Sequence, residues 1–196
     1  MPRSCSQVWE FIRNSITGGC ITFIRNESYI RQCPLPCGIY PLRTVMGAAI
    51  HFLISLGVVI TLLTVLNGNT ASLQVLWSVL PAIVLTMIFA WAVATLAAFA
   101  TVYFHDTQHL VDVGAQLWFF ITPIIYSRDL LDRKGLSWVA DLNPVNLFLE
   151  LIRTPLISGQ PPELSLYLQA TVLTGITLGL AIGTIAWLQR KLIFQL

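Results

Sequence analysis

The stretch LQVLWSVLPAIVLTMIFAWAVATLAAFATVYF, residues 73–104, contains no Asp, Glu, Lys or Arg, and residues 44–66 and 164–188 share that property. An α-helix rises ~1.5 Å per residue, so about 20 apolar residues cross the ~30 Å hydrocarbon layer of a bilayer. Each run exceeds that length. Lipid offers exposed backbone amides no water, so such runs fold as helices that satisfy their own hydrogen bonds. The pattern predicts an all-α polytopic membrane protein. Composition agrees: 56% of residues are hydrophobic and 10% charged, with a mean hydropathy of +0.75, outside the range of an ordinary soluble domain.

A chain of 196 residues leaves room for a single membrane domain, residues 1–196. The net charge of +2 is not gathered into a basic arm or acidic tail, so nucleic acid is not an expected partner. The cysteines Cys5, Cys20, Cys33 and Cys37 crowd the first part of the chain. A zinc ribbon needs two close pairs or added histidines, and the histidines are His51, His105 and His109, the first inside an apolar run. The cysteines therefore read as incidental thiols, and no metal is expected. Residues 8–24 carry Glu10, Arg13 and the pair Gly18-Gly19 within an apolar background. They read as part of a membrane helix rather than a signal peptide, with the charges turned toward protein or the interface.

From residue 25 to 43 the chain is polar, with Arg25, Arg31, Arg43, Pro34, Pro36 and Pro41. Proline donates no backbone hydrogen bond and restrains its predecessor, so a short helix followed by a bent, extended stretch is expected. A first span follows over 44–66. The turn Asn67-Gly68-Asn69-Thr70 sends the second, within 73–104, back antiparallel. That span is expected to start near Pro81 and to carry Ala90, Ala94 and Ala98 on one face, where small side chains let helices approach. A third, over 110–126, is short and contains Pro123. Residues 136–158, interrupted by Asp141, Pro144, Glu150, Arg153 and Pro155, break into pieces too short to cross and read as re-entrant or interfacial helices. The last span, 164–188, carries the ridge Gly175, Gly179 and Gly183, a packing face whose mate spacing does not identify. With a cytoplasmic C-terminus, Arg25, Arg31, Arg43, Arg190 and Lys191 lie inside, and Arg128, Arg133, Lys134 and Arg153 outside. The positive-inside margin is a single residue.

Four strings, in order, resemble the permease subunits of ABC-2 type transporters, in the branch that exports O-antigen, capsule and teichoic-acid-like polysaccharides. LPCGIYPL (35–42) is similar to the proline-bracketed motif before that family's third helix. YFHDTQHL (103–110) is similar to the aromatic, aspartate and histidine motif after its fourth, and ITPIIY (121–126) to the Thr-Pro string ending its fifth. LNP (142–144), with Glu150 and Arg153, resembles its re-entrant segment. The chain departs from the pattern at Cys37 and Gly38, where charged residues are usual, and at His105 and Gln108, where arginines are frequent. The resemblance places residue 8 near the start of the family's second helix and implies about five spanning helices here, where the family has six. It further implies a multi-pass protein of the inner (plasma) membrane, working as a homodimer with a separate ABC ATP-binding subunit. No Gly-x-x-x-x-Gly-Lys-Ser/Thr loop occurs in the sequence, so ATP and Mg belong to that subunit and this chain binds no cofactor. Residues 25–43 become the cytoplasmic coupling segment.

Individual residues carry two readings each. Glu27 and Arg31, with Pro36 and Pro41, are candidates for coupling to the ATPase; otherwise they form a solvated interfacial loop whose arginines meet lipid phosphates. His105, Asp106 and His109 are candidates for the cytoplasmic mouth, with Asp106 capping a helix and His105 and His109 on one helical face. Trp118, Phe119, Phe120 and Tyr126 are candidates for a glycan path, because sugars present apolar faces that stack on aromatics; an interfacial belt is the alternative. In the re-entrant segment, Asn143 and Pro144 precede Glu150 and Arg153, whose three-residue spacing suggests an ion pair. His51 reads as hydrogen-bonded to a neighbouring helix. The leading function is therefore export of polysaccharide or lipid-linked glycan, without covalent chemistry. The alternatives are an ABC-2 exporter of a drug or lipid, a truncated non-transporting relic, and a membrane-embedded transferase, for which Asp106 and Asp112 are the closest carboxylate pair.

Overall fold

The structure is a computed structural model that describes residues 3–32, 36–67, 71–122, 143–158 and 161–192. Its helices are α1 Arg3–Cys20, α2 Thr22–Arg25, α3 Glu27–Gln32, α4 Ile39–Asn67, α5 Ala71–Tyr103, α6 Thr107–Ile121, α7 Pro144–Ser158 and α8 Leu164–Leu192. No strand occurs among the described residues. Three helices are long and apolar enough to cross a membrane, over Ile39–Leu62, Trp77–Tyr103 and Leu164–Leu188. Each overlaps one of the three charge-free runs, the first starting five residues earlier and so taking in Arg43.

The bundle is built around α5, which packs against α1, α4, α7 and α8. Its apolar window is 44% buried, against 22% for α4 and 11% for α8. Small side chains explain the central position. Ala90, Ala94 and Ala98 are fully buried, and the backbone of α1 comes down on them at Gly19. A Cβ built at Gly19 would stand 2.6 Å from the carbonyl oxygen of Ala94, so only glycine permits this crossing. Buried hydroxyls on α5 are satisfied within the helix: Thr86 donates to the carbonyl of Ala82 at 2.7 Å, Thr95 to Trp91 at 2.8 Å and Thr101 to Ala97 at 2.9 Å.

Helix boundaries differ from the sequence expectation at three places. α4 begins at Ile39, ahead of residue 44, and holds Pro41 in its first turn, where a missing N–H costs nothing because first-turn amides have no intrahelical acceptor. α5 begins at Ala71 and carries Pro81 inside it, so the proline does not start the helix. The ring disturbs the preceding turn, and there the Ser78 carbonyl accepts a hydrogen bond from the Tyr167 hydroxyl of α8. α6 starts at Thr107, and its C-cap Thr122 is extended (φ −78, ψ 131), as expected of a residue before proline. The turn residues 68–70 and the stretch 123–142, which includes Pro123, Tyr126 and the first part of the 136–158 segment, lie outside the described residues.

α7 has 15 residues, about 22 Å of helix, short of a bilayer. Val145, Phe148, Leu149, Leu151 and Ile152 are buried against α1, α5 and α8, and Arg153 is its one exposed described side chain. A helix lying on an interface would keep one whole face uncovered; α7 does not. The glycine ridge of α8 packs on no described residue: Cβ atoms built at Gly175, Gly179 and Gly183 meet none of their atoms within 4 Å. The opposite residues Ala170, Thr174 and Ala181 are the buried ones.

Candidate functional site

Two parts of the molecule gather the residues singled out in the sequence. The first lies where α1 meets α6. A cleft of about 510 Å³ is lined by Trp9, Glu10, Arg13, Gln116, Phe119 and Phe120, and an almost wholly apolar recess of about 450 Å³ adjoins it between α1, α5 and α6. Trp9, Arg13 and Ala115 border both. The aromatic rings interlock: Trp9 meets Trp118 edge-on at 6.3 Å and Phe119 at 5.9 Å, while Phe119 meets Phe120 at 5.8 Å. Phe120 is 69% exposed. Glu10 and Arg13 both line this cleft, as charges on a helix packed in a membrane bundle turn toward protein or the interface. Trp9 was not among the residues singled out, although its place three residues from Ile12 and four from Arg13 put it on their helix face.

Trp118 has a structural duty as well. Its indole N–H donates to Asn143 Oδ1 at 3.0 Å, Asn143 Nδ2 donates to Thr122 Oγ1 at 2.8 Å, and Thr122 Oγ1 donates to the Trp118 carbonyl at 2.8 Å. Asn143 Oδ1 also accepts from the backbone N–H of Val145 at 3.1 Å. The amide thus caps α7 and ties its start to the end of α6, in a closed ring of bonds that leaves no member of it unsatisfied. Pro144 occupies the first helical position, where proline is at home. The sequence named Asn143, Pro144 and Trp118 for separate reasons; the structure joins them through Thr122. Glu150 does not pair with Arg153. It accepts from Asn146 Nδ2 at 3.4 Å, while Arg153 points outward.

The second part is the short-helix segment α2–α3 with the start of α4. Phe23, Ile30, Cys37 and Tyr40 are buried in one cluster with Ala98, Phe99 and Val102 of α5, and Ile185 and Leu188 of α8 pack against it. Phe23 sits edge-on to Phe99 at 5.0 Å and to Tyr40 at 6.3 Å. Polar ties reinforce the joint: Thr22 and Thr44 share a 2.9 Å hydrogen bond, and Trp91 Nε1 donates to the Gly38 carbonyl at 3.1 Å. Gly38 lies under Ile185 and Trp91, with 3.1 Å and 3.4 Å available to a Cβ, so the departure from a charged residue at this place is sterically intelligible. Burial pushes the Cys37 thiol up, as fits a packing residue rather than a reactive one. Glu27 begins α3, half-buried, with Arg31 one turn later on the same short helix. Pro36 is exposed and Pro41 buried.

His105, Asp106 and His109 are all exposed, but not on one helical face, because His105 lies in the turn before α6. Asp106 holds the N-cap position without a side-chain cap bond; Thr107 Oγ1 donates to the Phe104 carbonyl at 2.6 Å instead. His51 is exposed at the seam between α4 and α1, where it lines the openings there, and has no hydrogen bond to a neighbouring helix among the described residues. No group of three or more His, Cys, Asp or Glu suited to a metal ion occurs among the described residues.

An all-helical membrane protein with a polar, anchored short-helix segment and an aromatic cleft is the class these features define. The chain belongs to the ABC-2 type transporter family, whose model matches residues 11–157. Two O-antigen export system permease proteins RfbA of Klebsiella pneumoniae are each 31% identical to it over 137 residues, 70% of this chain and 52% of theirs. A protein of the same description from Myxococcus xanthus is 27% identical over 141 residues. The chain thus spans about half the length of these relatives, 52% in each case.

Proposed function

We propose that this chain supplies the membrane-spanning subunit of an ATP-driven exporter that moves polysaccharide or lipid-linked glycan across the inner (plasma) membrane. The observation that carries this reading is the attachment of α2–α3: a charged short-helix segment fastened by a buried aromatic cluster to the ends of two bilayer-length helices, α5 and α8. Such a segment can be pushed by a partner without being torn loose. The cargo class follows from the O-antigen export relatives. ATP and Mg reside on a separate ABC ATP-binding subunit, and this chain binds no cofactor and performs no covalent step. Two copies form the channel in surrounding lipid. Glu27 and Arg31 on α3 meet the ATPase, and His105, Asp106 and His109 border the same cytoplasmic mouth. Along the α1–α6 cleft, Phe119 and Phe120, with Trp118 in the adjoining recess, stack against apolar sugar faces while Glu10, Arg13 and Gln116 bond hydroxyls. The segment containing Asn143, Pro144, Glu150 and Arg153 re-enters from one side and props the cleft.

Charge reversal tests the coupling. In membranes holding both subunits, Glu27→Lys and Arg31→Glu are each expected to lower glycan export and cargo-stimulated ATP hydrolysis by about tenfold, while the chain still inserts. Unchanged export and hydrolysis in both variants would remove α3 from the coupling path.

A further inference from the structure

A recess of about 540 Å³ lies between the α1–α2 corner and α4, and its polar lining comes from Arg25, Asn26, Tyr29, Arg43, Thr44 and His51. Arg25 ends α2, and Arg43 lies in the first turns of α4, four residues into the bilayer-length stretch Ile39–Leu62. Both guanidiniums are exposed, and neither has a hydrogen-bond or ion-pair partner among the described residues. The floor is firm, because Thr22, Thr44 and the Tyr40 carbonyl are bonded to one another at 2.9–3.3 Å. Asn26 is fixed by its 2.7 Å bond to the Thr22 carbonyl. Tyr29, 63% exposed at the rim, is the kind of side chain that sits at headgroup level.

Two arginines without a partner among the described residues, one ending α2 and one in the first turns of the bilayer-length α4, attract anions. Arginine presents a planar fork of donors that matches phosphate oxygens two at a time, and a cation close to the hydrocarbon gains more from a counter-charge than one in open water. The recess contributes the Tyr29 hydroxyl for a remaining oxygen, and its lining offers no carboxylate to repel the ligand. We propose that this recess is a binding site for the phosphoryl group of an anionic lipid headgroup, which would lock the α2–α4 corner to the bilayer surface. The inference needs only that the chain spans a membrane; it does not depend on the cargo or on the coupling role of Glu27 and Arg31.

Native mass spectrometry of the full chain in detergent, doped in turn with phosphatidylglycerol and phosphatidylcholine, tests it. The wild type is expected to retain phosphatidylglycerol preferentially, by roughly fivefold per arginine. Arg25→Gln/Arg43→Gln should bring retention down to the phosphatidylcholine level, and Arg25→Lys/Arg43→Lys should keep part of the preference. Arg13→Gln/Arg153→Gln, which removes the same charge elsewhere, should keep all of it. Inorganic phosphate that displaces phosphatidylglycerol identifies the phosphoryl group alone as the ligand; failure to displace shows that the lipid-borne headgroup is required. Equal retention of both lipids by the wild type, undiminished preference in Arg25→Gln/Arg43→Gln, or equal loss in Arg13→Gln/Arg153→Gln overturns the proposal.

Discussion

Asn143 concentrates more bonding than any other described polar side chain of the α6–α7 junction. Its amide satisfies the Trp118 indole, the Val145 amide and the Thr122 hydroxyl while itself 6% exposed. Asn143→Ala strips partners from the buried Val145 amide and Thr122 hydroxyl and from the part-buried Trp118 indole, and a cost of about 2 kcal/mol follows. Asn143→Asp keeps both acceptor bonds and loses one donor, so its cost should be smaller. Thermal unfolding in detergent followed by circular dichroism should rank wild type above Asp above Ala; an Ala variant as stable as the wild type would contradict the ring. An asparagine before proline already reads as a helix start. That Trp118 and Thr122 meet it, 25 and 21 residues upstream, was not legible, because chain spacing carries no trace of a bond made across an intervening segment. The pair Glu150 and Arg153 erred in the opposite direction. Three-residue spacing permits an ion pair, but burial of the rest of α7 sends Arg153 outward and leaves Glu150 to Asn146.

Among elements, the three long helices were legible because lipid forbids anything else, whereas their first turns were not. Pro41 and Pro81 look like barriers, yet the former sits where its amide has no duty and the latter is absorbed within α5. Glycines divide in the same way. The Gly18-Gly19 pair was visible only as a weakness in an apolar segment, and it makes the closest approaches of any described glycines: a Cβ at Gly18 would lie 2.7 Å from Thr44 Cγ2 and one at Gly19 2.6 Å from the Ala94 oxygen. The conspicuous ridge on α8 touches no described residue. Gly19→Ala must therefore part α1 from α5, at about 1–3 kcal/mol as for other overpacked sites. Ala94→Gly offers no rescue, since the obstruction is backbone. Gly179→Ala meets open space and should leave the chain's unfolding midpoint unchanged or slightly raised. The contrast is read by denaturation of both variants in the same detergent, and equal effects would mean that α1 and α5 are not in this contact.

At the scale of the molecule, two apolar clusters divide the labour. The larger joins α1, α4, α5 and α7, and the smaller fastens α2–α3 to α5 and α8. Phe23 is fully buried at the centre of the smaller cluster, between Tyr40 and Phe99. If α2–α3 receives the stroke of an ATPase, Phe23 is where the stroke enters the membrane helices. A push on α3 moves α5 only as far as the ring fills its seat. Phe23→Ala empties that seat, at a cost of about 3–5 kcal/mol when such a ring is lost from a packed core. The larger cluster does not contain it, so the bundle should still insert and fold. Glu27 and Arg31 remain in place for the partner, so the ATP-binding subunit should still co-purify. Transmission alone should fail: export falls while basal ATP hydrolysis persists and cargo no longer stimulates it. Phe23→Leu, which keeps most of the volume, should restore most of the stimulation. Glu27→Lys, by contrast, should weaken co-purification itself, which separates a broken contact from a slack joint. Stimulated hydrolysis in Phe23→Ala equal to the wild type, with the partner bound, would show that the stroke bypasses the aromatic cluster and enters through another connection, for which the exposed Asp106 turn ahead of α6 is the next to test.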